Sequence, residues 1–197
     1  MIKNYIVYLN FINEKLNKFF ERQKPYIFCK KGCAKCCKDA EFPYSDIELK
    51  FLLSGASKLP LETLNLIDKK IAKILEDKKN FKGEKFLYDC PFLIDDVCSV
   101  YEYRGIVCRT FGLAASGNEN GKVKIPFCAY LGLNYSNVVD EDKISKERFE
   151  EFQKTAGSVE EPVGFHIGYD FLTGEDFEKS FNIKFGDKKP LIEWFEV

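Results

Sequence analysis

The chain has 197 residues, of which 45% are hydrophobic, and its 30 lysine and arginine residues almost balance its 31 aspartate and glutamate residues. This balance argues against a nucleic-acid-binding surface, which needs a basic excess or stripe, and no apolar run approaches the length that spans a bilayer. The length predicts a single domain over residues 1–197.

The first helix is predicted from apolar residues that recur at helical spacing from Ile2 to Phe19. It covers residues 2–22 as an amphipathic helix, and Pro25 ends it. Polar residues interrupt its apolar stretch and no small-residue cleavage site follows, so we predict no signal peptide and a cytoplasmic location. In that reducing compartment, cysteines are better explained by metal or redox chemistry than by disulfides.

Two further helices are predicted after a cysteine-dense loop. Ser45 and Glu48 form a capping-box pattern ahead of an apolar run, so the second helix begins there and ends near Gly55. Apolar residues at helical spacing predict the third helix over residues 61–78. The charged segment 79–85 is predicted to be a solvated connection.

The centre of the chain is predicted to form short turns and strands. Residues 92–94 are a strand candidate, and the Asp95–Asp96 pair that follows predicts a hairpin turn rather than a catalytic pair. Ser99 and Glu102 match a second capping box, which predicts a brief helix stopped by Gly105.

The rest of the chain is predicted to hold one more hairpin and one more long helix. Residues 110–115 and 122–127 form the hairpin across the polar loop 116–121. A charged helix covers about residues 141–155 and ends at Gly157.

The aromatic tail, residues 163–197, is predicted to contain a short helix over residues 173–181. Together these elements predict an α+β fold dominated by helices, with short β-hairpins organised around a cysteine-ligated metal centre. The metal-binding core covers about residues 25–130, and a C-terminal extension follows over about residues 140–197.

Eight cysteines carry the strongest functional signal in the chain. Short gaps between cysteines allow a turn to aim successive sulfurs at one point, which suits a metal ion. Adjacent Cys36 and Cys37 are expected to face different ways, so that one binds the ion while its neighbour packs or faces a second site. All eight are candidate metal ligands: Cys29, Cys33, Cys36, Cys37, Cys90, Cys98, Cys108 and Cys128.

Basic residues accompany these cysteines. Lysines interleave with the first cysteine group, residues 29–37. Arg104 and Arg109 bracket Cys108 in the second cysteine group, residues 90–108. Nearby cations lower the pKa of a thiol and favour the thiolate, which is the form that binds metal. We therefore predict that the two arginines surround the metal centre and support its ligands, although for Arg109 an ordinary solvated side chain is an equally open interpretation.

Three other hypotheses compete with metal binding. A disulfide framework needs an oxidising compartment. A thioredoxin-like redox pair, Cys33 with Cys36, needs a strand–turn–helix context that the surrounding sequence lacks. Buried inert thiols explain one or two of the cysteines, Cys128 above all. Metal ligation accounts best for the spacing.

The identity of the metal depends on the donor set. The chain has one histidine, His166, which we predict to be packed or on the surface rather than a ligand, so a complete site must be nearly all sulfur. Four-cysteine sites suit both zinc and iron–sulfur clusters. Because many cysteines with almost no histidine form a soft-ligand set, we favour an iron–sulfur cluster, 4Fe-4S first, over zinc.

The cysteine motifs resemble a known family, the YkgJ-type cysteine-cluster proteins, also described as the CxxCxxCC zinc- or iron-chelating domain. The resemblance covers about residues 29–128, half of the chain, and implies chelation by the cysteines, Cys128 being the weakest carry-over. This chain has three residues in the first gap where the family name implies two, and it has glycine where the family usually has proline after the arginine. The motifs are Cys29-Lys-Lys-Gly-Cys33-Ala-Lys-Cys36-Cys37 and Cys90-x7-Cys98-x5-Arg104-Gly105-x2-Cys108-Arg109-x2-Gly112.

Three functional hypotheses follow. The first is an iron–sulfur protein in a redox or cluster-handling role, working with an unknown protein redox or client partner. The second is a zinc-stabilised structural or interaction module. The third is methyl-transfer chemistry linked to S-adenosylmethionine, because similar domains occur in flagellin lysine methylases and Cys29-x3-Cys33-x2-Cys36 matches the radical-enzyme triplet. Against the third stand Lys35, where those enzymes carry an aromatic residue, and the lack of strand–helix repeats for their barrel. Whether the protein is an enzyme stays open.

Overall fold

The computed structural model describes residues 1–30, 32–117 and 123–196. The helix-dominated α+β fold predicted from the sequence is confirmed, and none of the described helices is long and apolar enough to cross a membrane. The α-helices are α1 (Ile2–Arg22), α2 (Asp46–Ala56), α3 (Leu61–Asn80), α4 (Ile106–Thr110), α5 (Lys146–Ala156), α6 (Tyr169–Leu172) and α7 (Glu175–Phe181).

The strands are short and pair antiparallel in twos, with one isolated parallel bridge between Ala115 and Phe165. Three of the pairs are local hairpins. The fourth pairs Pro43–Ser45 with Lys188–Pro190 and joins the tail of the chain to the segment before α2. The strands are β1 (Pro43–Ser45), β2 (Leu93–Ile94), β3 (Val97–Cys98), β4 (Ala115–Ser116), β5 (Val123–Lys124), β6 (Val139–Asp140), β7 (Lys143–Ile144) and β8 (Lys188–Pro190).

The helix α1 forms because its apolar residues recur on one face, and that face is buried. Its predicted bounds, residues 2–22, are confirmed. The chain continues after Gln23 as a short 3₁₀ turn that contains Pro25. The buried face of α1 packs in one core cluster with residues of α2, α4 and the tail, among them Phe51, Ile106 and Phe185.

The second and third predicted helices are also confirmed. The helix α2 begins with the predicted capping box of Ser45 and Glu48 and ends one residue beyond Gly55. The helix α3 continues two residues beyond the predicted end, through Asn80, and the exposed connection follows. Both helices pack in a second core cluster, against which the side chains of Cys90, Cys98 and Cys108 also lie.

The prediction for Ser99 and Glu102 is wrong. Ser99 Oγ donates a hydrogen bond to the carbonyl of Phe92 across the β2–β3 hairpin, so it does not cap a helix. Only a 3₁₀ turn over Tyr101–Tyr103 forms there, and α4 begins after Gly105 instead of ending before it. Five residues are too few for a periodic apolar pattern, which explains why the sequence did not indicate α4.

Two later predictions need corrected bounds. The second hairpin forms but is shorter than predicted, because Thr110 ends α4 and only β4 and β5 pair. Residues 118–122 of its loop, including Lys122, lie outside the described residues. The predicted helix over 141–155 is α5, which starts at Lys146 because the β6–β7 hairpin occupies the preceding residues.

The tail folds back onto the rest of the chain. Its predicted short helix is α7, which follows the separate turn of helix α6. Strand β8 pairs with β1, and the indole N–H of Trp194 donates to the carbonyl of Tyr44. A third core cluster lies around Tyr26 and Tyr135, whose rings stack. Strand β8 and Trp194 thus join the C-terminal extension to the segment between the first cysteine group and α2.

Candidate metal centre

A cavity of about 870 Å³ brings the two cysteine groups together. Its walls are one face of α1, the loop that carries the first cysteine group, the β2–β3 hairpin and α4. Cys90 and Cys128 lie outside the lining, whereas the other six cysteines all form part of it: Cys29, Cys33, Cys36, Cys37, Cys98 and Cys108. Residues distant in sequence therefore share one wall, as a common metal site requires.

The first cysteine loop turns at Gly32 and ends in a 3₁₀ turn over Ala34–Cys37. Gly32 has a φ of 84°, a left-handed conformation that glycine adopts without steric cost. Both Cys36 and Cys37 line the cavity, and their sulfurs are 4.0 Å apart. The expectation that one of them faces away from the other is wrong: successive side chains of a 3₁₀ turn leave the backbone about 120° apart, yet both sulfurs reach the same cavity.

The second cysteine group is joined to the first through the backbone. The Cys90 N–H donates to the carbonyl of Cys37 at 2.8 Å, which fixes the start of one group against the end of the other. Cys98 lies in β3, opposite Leu93 in the hairpin. Asp95 and Asp96 form the predicted turn of this hairpin, with φ values of 49° and 59°.

Cys108 lies in α4, and Tyr44 of β1 lies beside it. The Tyr44 hydroxyl is 3.7 Å from Cys108 Sγ and accepts a hydrogen bond from the Gly105 N–H at 2.9 Å. A proline at position 105 would lose that donor, and a Cβ there would meet the Tyr44 ring at 2.7 Å. The glycine that departs from the resembled family is therefore accounted for by the close approach of Tyr44.

Cys29 lies at the exposed rim of the cavity, and Cys128 is buried in a 3₁₀ turn over Phe127–Leu131. The side-chain amide of Asn134 donates to Cys29 Sγ at 3.1 Å. Neither Tyr44 nor Asn134 stands in a cysteine motif, so the sequence did not indicate either of them. Only the Gly132 turn marks the Asn134 segment as a loop, and it does not indicate a partner.

Burial makes most of these thiols difficult to ionise in the protein alone. It raises the pKa of Cys108 to about 12 and that of Cys128 to about 11, and it raises the pKa of Cys90 as well. Cys36 and Cys37 differ, because the hydrogen bond between their sulfurs lowers the pKa of Cys36 and raises that of Cys37. Clustered thiolates repel one another, so a bound cation would compensate their charge.

The two arginines near the cavity have different contacts. Among the described residues, neither guanidinium forms an ion pair with a carboxylate, unlike Arg22 and Arg148. Arg109 donates to the carbonyls of Arg104 and Glu102 and to Asn13 Oδ1, and so holds the turn before α4 against α1. At Cys98 and Cys108, burial raises the pKa values of the thiols and the positive charge of Arg104 only partly offsets it; at Cys36, whose pKa is lowered mainly by the hydrogen bond with Cys37, the charge of Arg104 acts in the same direction.

A buried carboxylate fixes the position of α4. Glu48 of α2 is fully buried, and its oxygens accept hydrogen bonds from Ser45, from the Ile106 N–H at 2.7 Å and from the Tyr169 hydroxyl at 2.5 Å. The bond to Ile106 ties the first residue of α4 to α2, two residues before Cys108. The α4 wall of the cavity is thus held in place by the Glu48 carboxylate, whose hydrogen-bond partners all belong to the protein.

The donor set fits a soft metal, although its sulfurs are not gathered on one point. All eight cysteines are free thiols, and His166 is exposed beside Phe171, outside the cavity lining. Within residues 1–30, 32–117 and 123–196, no three cysteine, histidine, aspartate or glutamate side chains converge as ligands of a single ion. Thiolate sulfur is nevertheless the preferred ligand of iron–sulfur clusters and of structural zinc.

The family comparison agrees with this chemistry. Residues 28–129, just over half of the chain, match the model of a family described as CxxCxxCC, "putative zinc- or iron-chelating domain". The chain belongs to this cysteine-cluster family. The comparison with curated proteins and the comparison with solved structures found no match.

Proposed function

We propose that the cavity holds an iron–sulfur cluster, with 4Fe-4S favoured, and that the protein acts in electron transfer or cluster handling with a protein partner. The observation that carries this proposal is the meeting of six thiols in one cavity without a histidine among its lining residues. The six cavity-lining cysteines would supply the ligands of the cluster, whereas Cys90 and Cys128, which the sequence also suggested as ligands, lie outside the lining.

The arrangement of the sulfurs supports a cluster over a single ion. In a 4Fe-4S cluster each of the four cysteine ligands binds a different iron, so the sulfurs surround a volume rather than converge on a point. Among the described residues, six thiols line one cavity, while no three of the possible ligands converge on a single ion position. A cluster, when bound, would supply reversible one-electron transfer, and the chain would hold it and set its surroundings.

The charge around the cavity supports the same proposal. A centre ligated by several thiolates carries net negative charge, which a nearby cation stabilises. Arg104 supplies that cation without a carboxylate partner in the described part of the chain, and its guanidinium lies over the Tyr101 ring, with 3.4 Å from its carbon to the ring centroid. Its position at the cavity lining thus suits a negatively charged occupant.

Access to the cavity supports a protein partner. Val97 and Tyr101 both line the cavity, yet 50% and 56% of their surfaces are exposed. Exposed apolar side chains at a site of electron or cluster transfer suit contact with another protein, because burying them on docking is favourable. A partner bound there would approach the thiols closely.

Zinc is the second candidate, and one distance favours it. Two sulfurs that share a tetrahedral zinc at about 2.3 Å lie about 3.8 Å apart. The Cys36 and Cys37 sulfurs are 4.0 Å apart, which matches such a pair. In this alternative the metal would stabilise a structural or interaction module.

The deciding experiment is anaerobic purification of the whole chain, followed by iron, zinc and acid-labile sulfide analysis and a visible spectrum. We expect iron with equivalent sulfide and a broad brown absorbance that the double variant Cys36→Ser/Cys37→Ser loses. The matched variant Cys128→Ser, whose sulfur lies outside the cavity lining, should retain the absorbance. A colourless protein with stoichiometric zinc would replace the cluster by the zinc module, and a protein free of both metals after growth with ample iron and zinc would overturn metal binding.

A further inference from the structure

Asn134 forms four hydrogen bonds near the cavity through both ends of its side-chain amide, and it lies outside the residues that match the family. It is fully buried in the segment between the left-handed Gly132 and Tyr135, whose φ values are 72° and 63°. A buried amide costs free energy unless its donors and acceptors are all paired. The partners of Asn134 therefore indicate what its position serves.

Both ends of the Asn134 amide bind the first cysteine loop. Its Oδ1 accepts hydrogen bonds from the Phe28 N–H at 2.8 Å and from the Cys29 N–H at 3.1 Å. Its Nδ2 donates to the Gly112 carbonyl at 2.9 Å and to Cys29 Sγ at 3.1 Å. Because two backbone N–H groups face one end and a carbonyl faces the other, the orientation of the amide is fixed by its surroundings.

Gly112 makes room for this arrangement. It has a φ of 99°, and a Cβ at this position would lie 2.8 Å from Asn134 Nδ2 and 3.6 Å from Cys29 Sγ. The missing side chain thus leaves room beside Gly112 for both the Asn134 amide and the Cys29 sulfur. Three segments distant in sequence interlock at one cysteine: the first cysteine loop, the turn after α4 and the segment that follows Cys128.

We propose that Asn134 is a positioning residue for Cys29 as a metal ligand, holding its sulfur at the cavity by an N–H···S hydrogen bond that persists when metal binds. The proposal rests on the metal-binding function proposed above. A ligated thiolate keeps lone pairs that can accept such a bond, and hydrogen bonds from outside the ligand shell orient ligands and tune the metal. Asn134 also binds the backbone of Cys29, so it fixes the residue and the sulfur together.

The test uses cadmium as a thiolate probe and compares two asparagines of the same segment. Asn134→Asp keeps the acceptor and removes the donor to sulfur. The matched control is Asn137→Asp, because the Asn137 amide is also buried but has no hydrogen-bond partner within the described residues. We expect Asn134→Asp to bind cadmium at least about tenfold more weakly than the wild type, the range typical for such outer residues, and more weakly than Asn137→Asp. Equal affinities for the two variants would overturn the proposal.

A second measurement separates this proposal from the general one and does not depend on a folded variant of Asn134. In the wild-type protein loaded with an NMR-active cadmium isotope, a side-chain amide proton of Asn134 should show scalar coupling to cadmium through the sulfur. Its absence in a cadmium-loaded protein contradicts the persistent bond. If the wild type binds no cadmium, the result contradicts the proposed metal-binding function. The contact between Asn134 and Cys29 is then tested in the metal-free chain. There, Cys29→Ala should shift the Asn134 amide resonance, and an unchanged resonance would overturn the positioning role.

Discussion

The surroundings of Glu48 and the cysteine cavity are two polar regions that meet at α4 and differ in how they are satisfied. Glu48 is fully buried, and four hydrogen-bond donors of the protein surround its carboxylate. The cavity gathers six thiols, of which Cys36 and Cys37 lie close enough to share a proton. One region is complete in the protein alone, and the other gathers thiols, among them Cys98 and Cys108, whose ionisation is opposed by burial.

This difference separates the frame of the molecule, by which we mean the packed helices α2, α4 and α6, from the candidate metal site in the cavity. Burial raises the pKa of Glu48, yet every donor that points at it belongs to the chain, so α2, α4 and α6 are joined without a ligand. The thiols instead face an open volume in which a metal could neutralise them. We expect changes at Glu48 to reduce folding stability, and changes at the cavity to reduce metal binding first.

The largest expected effect on stability is that of Glu48→Ala. It leaves the Ile106 N–H, the Ser45 N–H and the Tyr169 hydroxyl without their acceptor in a buried place, so we expect a loss of about 3–5 kcal/mol in the free energy of unfolding. Chemical denaturation of the metal-free chain measures it. The control Glu62→Ala, on the exposed face of α3, should change stability by about 0.5 kcal/mol or less. A loss below about 1 kcal/mol for Glu48→Ala would mean that the frame does not depend on this carboxylate.

The next effect concerns the two adjacent cysteines. Because both sulfurs face the cavity, Cys36→Ser and Cys37→Ser should weaken metal binding equally, each by more than the roughly 100-fold that changes outside the ligand shell reach. Metal content and competition with a chelator measure the loss. If only one of the two variants loses metal, only one sulfur is a ligand and the other is a neighbour.

A smaller effect separates close packing from backbone strain at two glycines. Gly112 and Gly132 both have positive φ, but a Cβ at Gly112 would press on the Asn134 amide, whereas one at Gly132 would meet nothing within 4 Å. Gly132→Ala should cost about 1–2 kcal/mol of unfolding free energy from the left-handed backbone alone, and Gly112→Ala about 1 kcal/mol or more beyond that. Thermal or chemical denaturation of both variants provides the comparison, and equal losses would show that the amide yields freely.

The smallest effect is a dependence on pH. Burial raises the pKa of Glu48 above its usual 4.5, so the folded chain binds this proton more tightly than the unfolded chain. The free energy of unfolding therefore falls as pH rises from about 4.5 through the raised pKa, and this contribution is absent in Glu48→Gln. The wild type should lose stability relative to that variant over this range. A difference that stays constant, or that favours the wild type more as pH rises, would contradict the raised pKa.

Local signals predicted the frame better than the site. Helical periodicity was enough for α1, the capping box for the start of α2, and the Asp95–Asp96 pair for the β2–β3 turn. Each of these signals lies within a few residues of the structure it specifies. The pairing of β1 with β8 and the contact of Tyr169 with Glu48 join distant segments, and no local pattern carries such information.

The site was predicted in composition and not in detail. Six of the eight cysteines that the sequence indicated line the cavity, because short gaps concentrate ligands, whereas Cys90 and Cys128 lie outside its lining. The cysteine spacing could not indicate that the sulfurs of Cys36 and Cys37 reach the same cavity, since that depends on the 3₁₀ turn that the two residues occupy. Asn134 escaped notice because its role is defined by Cys29 and Gly112, which only the folded chain brings to it.

The most direct test counts which thiols the metal protects. The anaerobically purified chain is treated with an alkylating reagent before and after metal removal by a chelator, and each cysteine is located by peptide mass spectrometry. We expect cavity-lining thiols such as Cys36, Cys37, Cys98 and Cys108 to be protected until the metal is removed. If these thiols react equally with and without metal, the proposal that the cavity holds the metal is wrong.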